Sequence, residues 1–323
     1  IDAFADLTDF VNSLSYRDAL PQGMLNLGKE DGKLHGVPYT VDLSAFIWNK
    51  DLFEKEGLDP NNPPETWEEL IEIGKKLTKD TDGDGTPDQY GLGMVGKSAG
   101  WHMFGFMPFV WANGGNLVTE EGKSGINEPE AIEAIEFWTD LIHEHKIAPK
   151  TAGTWGYTDV YNAFITNKIG MMVSGNFNIL TFKQDAPELN YGITYIPRPK
   201  DGHHSSFSGG NLIAITKQSE HKDAAKEFLR YALSEDVQVD IWAQNGALPV
   251  RTDLFDNKYF DEEPIFKVFA DVLAVSQAPK STKYNELYDP MLTAMQRSML
   301  GEIAPERAAE IAAEKMNEIL SSN

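Results

Sequence analysis

Short apolar runs alternate along this chain with longer segments of helical period, and that alternation limits the fold to one class. Gly170–Ser174 and Tyr191–Ile196 are too brief for helices and too apolar for a surface, so they read as buried strands. Pro197 stops the second of them. Lys33–Pro38 and Ser44–Trp48 read as strands, and Asn211–Thr216 follows the Gly209-Gly210 pair as another. Thr66 and Glu69 form a capping box ahead of a helix that ends near Thr78. Asn127 stands where a second helix needs a cap, with Ile132, Ile135, Trp138, Leu141 and Ile142 on one face. Thr158 opens a third, carrying Val160, Tyr161, Phe164 and Ile165. Helices are expected over 220–233, with Ala224, Ala225, Phe228 and Leu229 inward, over 235–244, and from Pro305 to Leu320. The fold class is α/β. No repeat, low-complexity tract or long linker marks a domain border, so any second lobe is reached through short connections.

Charge and composition remove several functions. Lys and Arg number 28 against 50 acids, a net charge of −22, which disfavours nucleic acid and anionic membranes as partners. The 323 residues are 41% hydrophobic, enough for two domains or one large one with a real core. Cysteine is absent, which excludes thiol catalysis, disulfides and Cys-based metal sites and suits an exported bacterial protein. No apolar run is long enough to span a bilayer, and no signal peptide is visible within these residues.

One local motif is specific. Asp80, Asp82 and Asp84 occupy alternate positions, Gly85 falls at position six and Asp88 at position nine of a loop of the EF-hand type. Alternate carboxylates supply oxygens to a hard cation, and without one they repel each other. Position twelve is Gly91 where an EF-hand has a bidentate Glu, so Gln89 or an acid from elsewhere must close the shell. The expectation is one structural calcium ion held by Asp80, Asp82, Asp84, Asp88 and Gln89, with the Thr86 carbonyl. A solvated acidic turn is the alternative.

Enzyme signatures are missing. There is no Gly-rich phosphate loop, no nucleophile elbow and no zinc-protease motif. Paired acids such as Glu68-Glu69 or Glu262-Glu263 carry no glycosidase signal, because such acids need a defined separation in space. His102, His203 and His204 have no partner at metal-ligand spacing and are expected on loops or the surface. Trp48, Trp67, Trp111, Trp138 and Trp242 sit in strand or helix patterns and are expected in the core.

Several segments, in order, resemble the extracellular solute-binding proteins of carbohydrate ABC transporters, the group of maltose-binding protein. They are Gly36-Val37-Pro38-Tyr39-Thr40-Val41-Asp42 leading to Phe46-Ile47-Trp48-Asn49-Lys50-Asp51, then Pro64-Glu65-Thr66-Trp67-Glu68-Glu69-Leu70, then Trp111-Ala112-Asn113-Gly114-Gly115. Ala163-Phe164 through Lys168-Ile169-Gly170-Met171-Met172, Ser208-Gly209-Gly210-Asn211 with Ala224-Ala225-Lys226-Glu227-Phe228, and Gly246-Ala247-Leu248-Pro249-Val250 complete the set. Members open with two or more strand–helix units before the segment that is here Leu7-Thr8-Asp9. The first lobe is therefore expected to be incomplete over these residues and to expose sheet edges and apolar surface.

The resemblance implies a two-lobed periplasmic-binding-protein-like fold with a hinge and an interlobe ligand cleft. It puts residues 1–41 and 211–262 in the N-terminal lobe and 42–210 and 263–323 in the C-terminal lobe, with crossings near Thr40–Leu43 and Ser208–Leu212. Asp42 occupies the place of an acidic cleft residue, Phe177 that of an aromatic lid beside Asn176, and Tyr288 that of another cleft aromatic. Tyr39, Trp101, Phe104, Trp155, Gly209 and Gly210 fall near the cleft by the same analogy. Rings for sugar faces and carboxylates or amides for hydroxyls suit that chemistry. The implied function is a monomeric extracellular or periplasmic receptor for a carbohydrate, an oligosaccharide above all. It would work with ABC permease subunits, meet the membrane only through a lipid anchor outside these residues, and catalyse nothing. The alternatives are a calcium-dependent glycan-adhesion module and a glycan-active enzyme.

Overall fold

The structure, a computed structural model, describes residues 3–279, 281 and 283–322. The elements that position the candidate site are strands β1 (Val37–Asn49), β2 (Tyr90–Gly93), β3 (Ile169–Gly175), β4 (Tyr191–Thr194) and β5 (Ser206–Ile213). The helices are α1 (Trp67–Leu77), α2 (Ala99–Ala112), α3 (Pro129–His143), α4 (Tyr157–Ile165), α5 (Phe177–Asp185), α6 (Lys222–Ala232), α7 (Tyr284–Met299) and α8 (Pro305–Ser321). No helix among the described residues is long and apolar enough to cross a membrane.

The chain divides into two compact units. Unit 1 comprises Ile1–Leu43, Gly175–Gln184 and Ser208–Lys280; unit 2 comprises Ser44–Ser174, Asp185–Phe207 and Ser281–Asn323. The chain passes from one to the other after Leu43 within β1, after Ser174 near the end of β3, after Gln184 near the end of α5, after Phe207 within β5, and ahead of Ser281. Compared with the sequence-based lobes, residues 42–43, 175–184, 208–210 and 263–280 stand with the first unit.

In unit 2, β2 and β3 pair in parallel, Tyr90 opposite Ile169 and Leu92 opposite Met171. The far half of β1 pairs antiparallel with β4, Phe46 opposite Thr194 and Trp48 opposite Gly192. Helices α2, α3, α7 and α8 pack on one another around Phe106, Phe109, Trp138, Met291 and Met316. The capping box is formed: Glu69 N donates to Thr66 Oγ1 at 3.3 Å, and Thr66 N donates to the Glu69 carboxylate at 3.3 Å. Trp67 then stacks on Phe137 with centroids 4.1 Å apart.

In unit 1, the near half of β1 pairs antiparallel with β5, Val41 opposite Gly210 and Asp42 opposite Gly209. One core cluster joins Leu7, Phe10, Val11, Leu14, Leu25, Val37, Ile215, Leu229, Leu233 and Val250, and Ile179, Phe182, Phe260, Phe266 and Phe269 are buried elsewhere in the unit. Arg251 covers the Tyr16 ring at 4.1 Å and pairs with Asp253 at 2.6 Å, closing one side.

Several expectations change. The strands read at 33–38 and 44–48 are one thirteen-residue strand from Val37, preceded by the two-residue strand Lys33–Leu34. Helix α3 starts after Asn127, with Glu128 at its cap and Pro129 in the first position. Helix α4 begins at Tyr157, where Gly156 N donates to the Asp159 carboxylate at 2.7 Å. Helix α6 buries Leu229 and Ala232, but Ala224 is exposed and Phe228 is 55% exposed. The inward face of α6 is thus rotated from the one its spacing suggested: Leu229 and Leu233 meet the core cluster, and Phe228 is left exposed. Trp48, Trp67, Trp111 and Trp138 are buried as expected, whereas Trp242 is half-buried and edge-on to Tyr39 at 5.4 Å.

The rotation of α6 is measurable. Leu229→Ala is expected to cost about 2–5 kcal/mol by cavity formation, and Phe228→Ala within about 0.5 kcal/mol of wild type. Urea melts in which Phe228→Ala costs as much as Leu229→Ala restore the expected face.

Candidate functional site

Asp42 lies in the middle of β1 rather than at a strand end, half-buried and opposite Gly209. Its neighbour in space is Asn176, only 3% exposed. Asn176 Oδ1 accepts from Leu43 N at 2.9 Å, which leaves its Nδ2 to donate to the Asp42 carboxylate. Burial pushes the Asp42 carboxyl above its ordinary value, and the Asn176 hydrogen bond pulls the other way. So the amide expected to meet a ligand is spent on the strand and on the acid.

Phe177, the next residue, opens α5 half-buried. Its ring folds back over Gly175, where an added Cβ would come within 2.3 Å of the ring. Gly209 and Gly210 are strand residues and not a turn. Gly210 has φ +130°, and a Cβ there would meet the Thr40 carbonyl oxygen at 2.1 Å, so the ladder needs glycine. Tyr39 leans on Trp242 in the same unit. Unit 1 therefore brings Tyr39, Asp42, Asn176, Phe177, Gly209 and Gly210 onto β1, β5 and the start of α5.

Unit 2 gathers rings. Trp101, on the first turn of α2, stacks on Tyr157 with centroids 4.1 Å apart and planes 11° apart. Phe104 meets Trp101 edge-on at 5.9 Å and Phe207 at 5.6 Å. A Cβ on Gly100 would lie 3.9 Å from the Tyr288 ring, so α7 brings Tyr288 beside the same turn. Tyr288 sits on a helix and not in a turn; its hydroxyl bonds to Tyr284, and burial drives its ionisation far upward, so it stays a neutral phenol. The Trp155 carbonyl receives Gly96 N and Lys97 N at 2.9 and 3.0 Å, fixing the loop that leads into α2, while its indole donates to Thr151. Trp101, Phe104, Trp155, Tyr157 and Tyr288 are all half-buried. Tyr157 was missed by sequence reading. Its place two residues after Trp155 in Trp155-Gly156-Tyr157 was the available signal.

The acidic loop is also in unit 2. One carboxylate oxygen from each of Asp80, Asp82 and Asp84 falls within 4.8 Å of the others, and all three side chains are exposed. Asp80 is held in place by Gly83 N and Gly85 N at 2.7 and 2.8 Å, and Asp84 by Thr86 N at 2.8 Å. Asp88 instead accepts from Thr81 N and Thr81 Oγ1 at 2.9 and 2.7 Å. Gln89 is buried and donates to the Leu77 carbonyl at 2.7 Å. The Gly85 backbone N–H holds the Asp80 carboxyl below the usual range, and the Thr81 hydroxyl, with the Thr81 N–H, does the same for Asp88. His203 is exposed and His204 half-buried, stacked on Tyr195 at 4.3 Å. His102 is not on a surface: it is 1% exposed inside α2, because α2 turns that face toward Phe106 and Trp138.

Comparison with known proteins follows this geometry. Residues 2–239 match the family model described as bacterial extracellular solute-binding protein. A putative binding protein of Brucella abortus (strain 2308) is 29% identical over 90% of this chain and 69% of its own length. An arabinooligosaccharide-binding protein of Halalkalibacterium halodurans is 28% identical over 79% of this chain and 58% of its own. An ABC transporter solute-binding protein of Thermotoga lettingae, solved with α-D-tagatose, superposes with a TM-score of 0.85 at 26% identity, covering 98% of this chain and 80% of that one.

The Asp42 shift has a sign. An acid whose carboxyl is raised in the folded state binds its proton more tightly there, so its ionisation costs stability as pH rises from 3.8 through the raised value. Asp42→Asn removes that cost. The variant is expected to gain on wild type at pH 7 and to lose the advantage at pH 4, read from urea melts at the two pH values.

Proposed function

Since the chain belongs to the bacterial extracellular solute-binding proteins, we propose that it is a carbohydrate receptor that hands its ligand to an ABC importer and performs no chemistry on it. The half-buried ring cluster of unit 2 carries this reading. Rings that are partly wet in the free protein offer faces to the C–H surfaces of a sugar, and their release of water drives binding. Trp101 and Tyr157 brace each other, so little freedom is lost when a sugar settles on them. In unit 1, Asp42 supplies a charged acceptor for hydroxyls, oriented by Asn176, and Phe177 supplies a further face. The relatives' arabinooligosaccharide and tagatose ligands support a neutral sugar, and the net charge of −22 opposes a polyanion. An extracellular or periplasmic monomer, tethered by a lipid outside these residues, is the matching arrangement.

Thermal shift and calorimetry against D-tagatose, arabino-oligosaccharides and maltotriose test the proposal. For whichever sugar binds, Trp101→Ala is expected to weaken affinity by about 1–3 kcal/mol through lost stacking and burial. Asp42→Ala is expected to cost about 1.5–3 kcal/mol, roughly ten- to a hundredfold. Turnover of any of these glycans that a single acid substitution abolishes overturns the receptor reading.

We propose also that the 80–88 loop holds calcium as a structural ion. The converging oxygens of Asp80, Asp82 and Asp84 fit a hard cation, and the Thr86 carbonyl is the next donor in the loop. Asp88 is already engaged by Thr81 and Gln89 is anchored through Nε2 to the Leu77 carbonyl, so each would join through oxygen lone pairs that those bonds leave unused. Chelation is expected to lower the melting temperature of wild type and to leave Asp82→Ala unchanged. Equal melting curves for wild type with and without chelator make the loop an acidic turn.

A further inference from the structure

Among the buried polar atoms of unit 2 that have no hydrogen-bond partner among the described residues, His102 Nε2 and Trp138 Nε1 lie in its helical core. Their residues are 1% and 2% exposed, and their rings meet edge to face with centroids 6.4 Å apart. The Phe106 ring lies against both, stacked on His102 at 5.4 Å and edge-on to Trp138 at 5.5 Å. No site described above uses either atom.

Their chemistry is complementary. His102 Nδ1 is 3.0 Å from the Val95 carbonyl, which only accepts, so Nδ1 carries the ring proton. Nε2 is then a bare acceptor. Burial holds the imidazole neutral, pushing it down to about 4. The Trp138 indole N–H only donates. An orphaned donor and an orphaned acceptor, on rings whose centroids are 6.4 Å apart in a ring-lined core, each carry a desolvation cost that one small polar molecule between them removes from both.

We propose that a single buried water accepts from Trp138 Nε1–H and donates to His102 Nε2, making His102 the positioning residue that sets the start of α2. Through Nδ1–H, His102 grips Val95, and its own N donates to Ser98 O at 2.7 Å. Between those anchors, Gly96 and Lys97 are held by the Trp155 carbonyl. The residue before His102 is Trp101, whose stack on Tyr157 depends on the rotation of that turn. The Val95 carbonyl fixes the tautomer, the water satisfies the Nε2 that this leaves bare, and the Val95 bond sets the turn that carries the ring pair. Only the use of that pair for sugar rests on the receptor reading.

The test needs no ligand, so it succeeds or fails separately from sugar binding. In full-length protein labelled with 15N at histidine and tryptophan, His102 is expected at pH 7 as the neutral Nδ1–H tautomer. The Trp138 indole proton is expected to show a cross-peak to a slowly exchanging water. An Nε2–H tautomer, or an indole proton with no water contact, overturns the water. Near-UV circular dichroism reads the Trp101–Tyr157 pair, and Trp101→Phe identifies its band. His102→Asn, whose amide N–H stands in for Nδ1–H, is expected to keep the band, and His102→Phe to lose it. Retention of the full band by His102→Phe overturns the positioning role. Should that variant not fold, loss of the band in a folded His102→Asn does the same, and the tautomer and water signals of wild type still decide the rest.

Discussion

The antiparallel ladder between Val37–Leu43 and Ser208–Ile213 is the interaction on which the rest depends. It is closed by a backbone approach so tight that residue 210 has no room for a side chain. The same strand β1 continues into unit 2 and pairs there with β4, so one extended segment organises both sheets. Asp42 owes its place to this ladder. The pairing sets it opposite Gly209, and the side chain that would otherwise crowd it is missing. A carboxylate there is half-buried by geometry, and its raised carboxyl follows from that burial.

Several buried amides are fully used. Asn49 accepts from Leu52 N at 2.9 Å, capping the short helix after β1, and donates to Asn167 at 2.6 Å. Gln238 donates to the Ala232 carbonyl and accepts from Val250 N, both at 2.8 Å, tying the end of α6 to the strand-like run that follows. Asn176 does the same between Leu43 and Asp42. Asn49 and Asn176 bridge segments far apart in sequence and Gln238 ties together nearer ones, and each converts a desolvation cost into a defined geometry.

The rings of unit 2 divide into two populations with the same chemistry. Phe106, Phe109 and Trp138 are sealed in the helical core and set its packing. Trp101, Phe104, Tyr157 and Tyr288 are kept half-wet by the same helices. Helix α2 supplies both populations from opposite sides. A sealed ring contributes to folding, and a half-wet ring keeps part of its apolar surface in reserve for a ligand.

Local chemistry was enough for some features. The capping box at Thr66 and Glu69, the buried strand at 169–175 and the converging Asp80, Asp82 and Asp84 each depend on residues close in sequence, where spacing fixes geometry. The α/β class and the ordered family segments were legible for the same reason. Tertiary structure alone decided the rest. Helix α2 is apolar on nearly every side, so periodicity does not say that His102 faces the core and Trp101 does not. The inward face of α6 was misread because Phe228 and Leu229 are equally apolar, and only the shape of the unit 1 core selects between them. The pairing of Asn176 with Asp42 joins residues 134 positions apart, a distance over which no local rule acts. What the sequence alone determined is where the main strands, helices and the acidic turn lie; which faces and which distant partners they meet was decided by packing, because burial is a property of the assembled core.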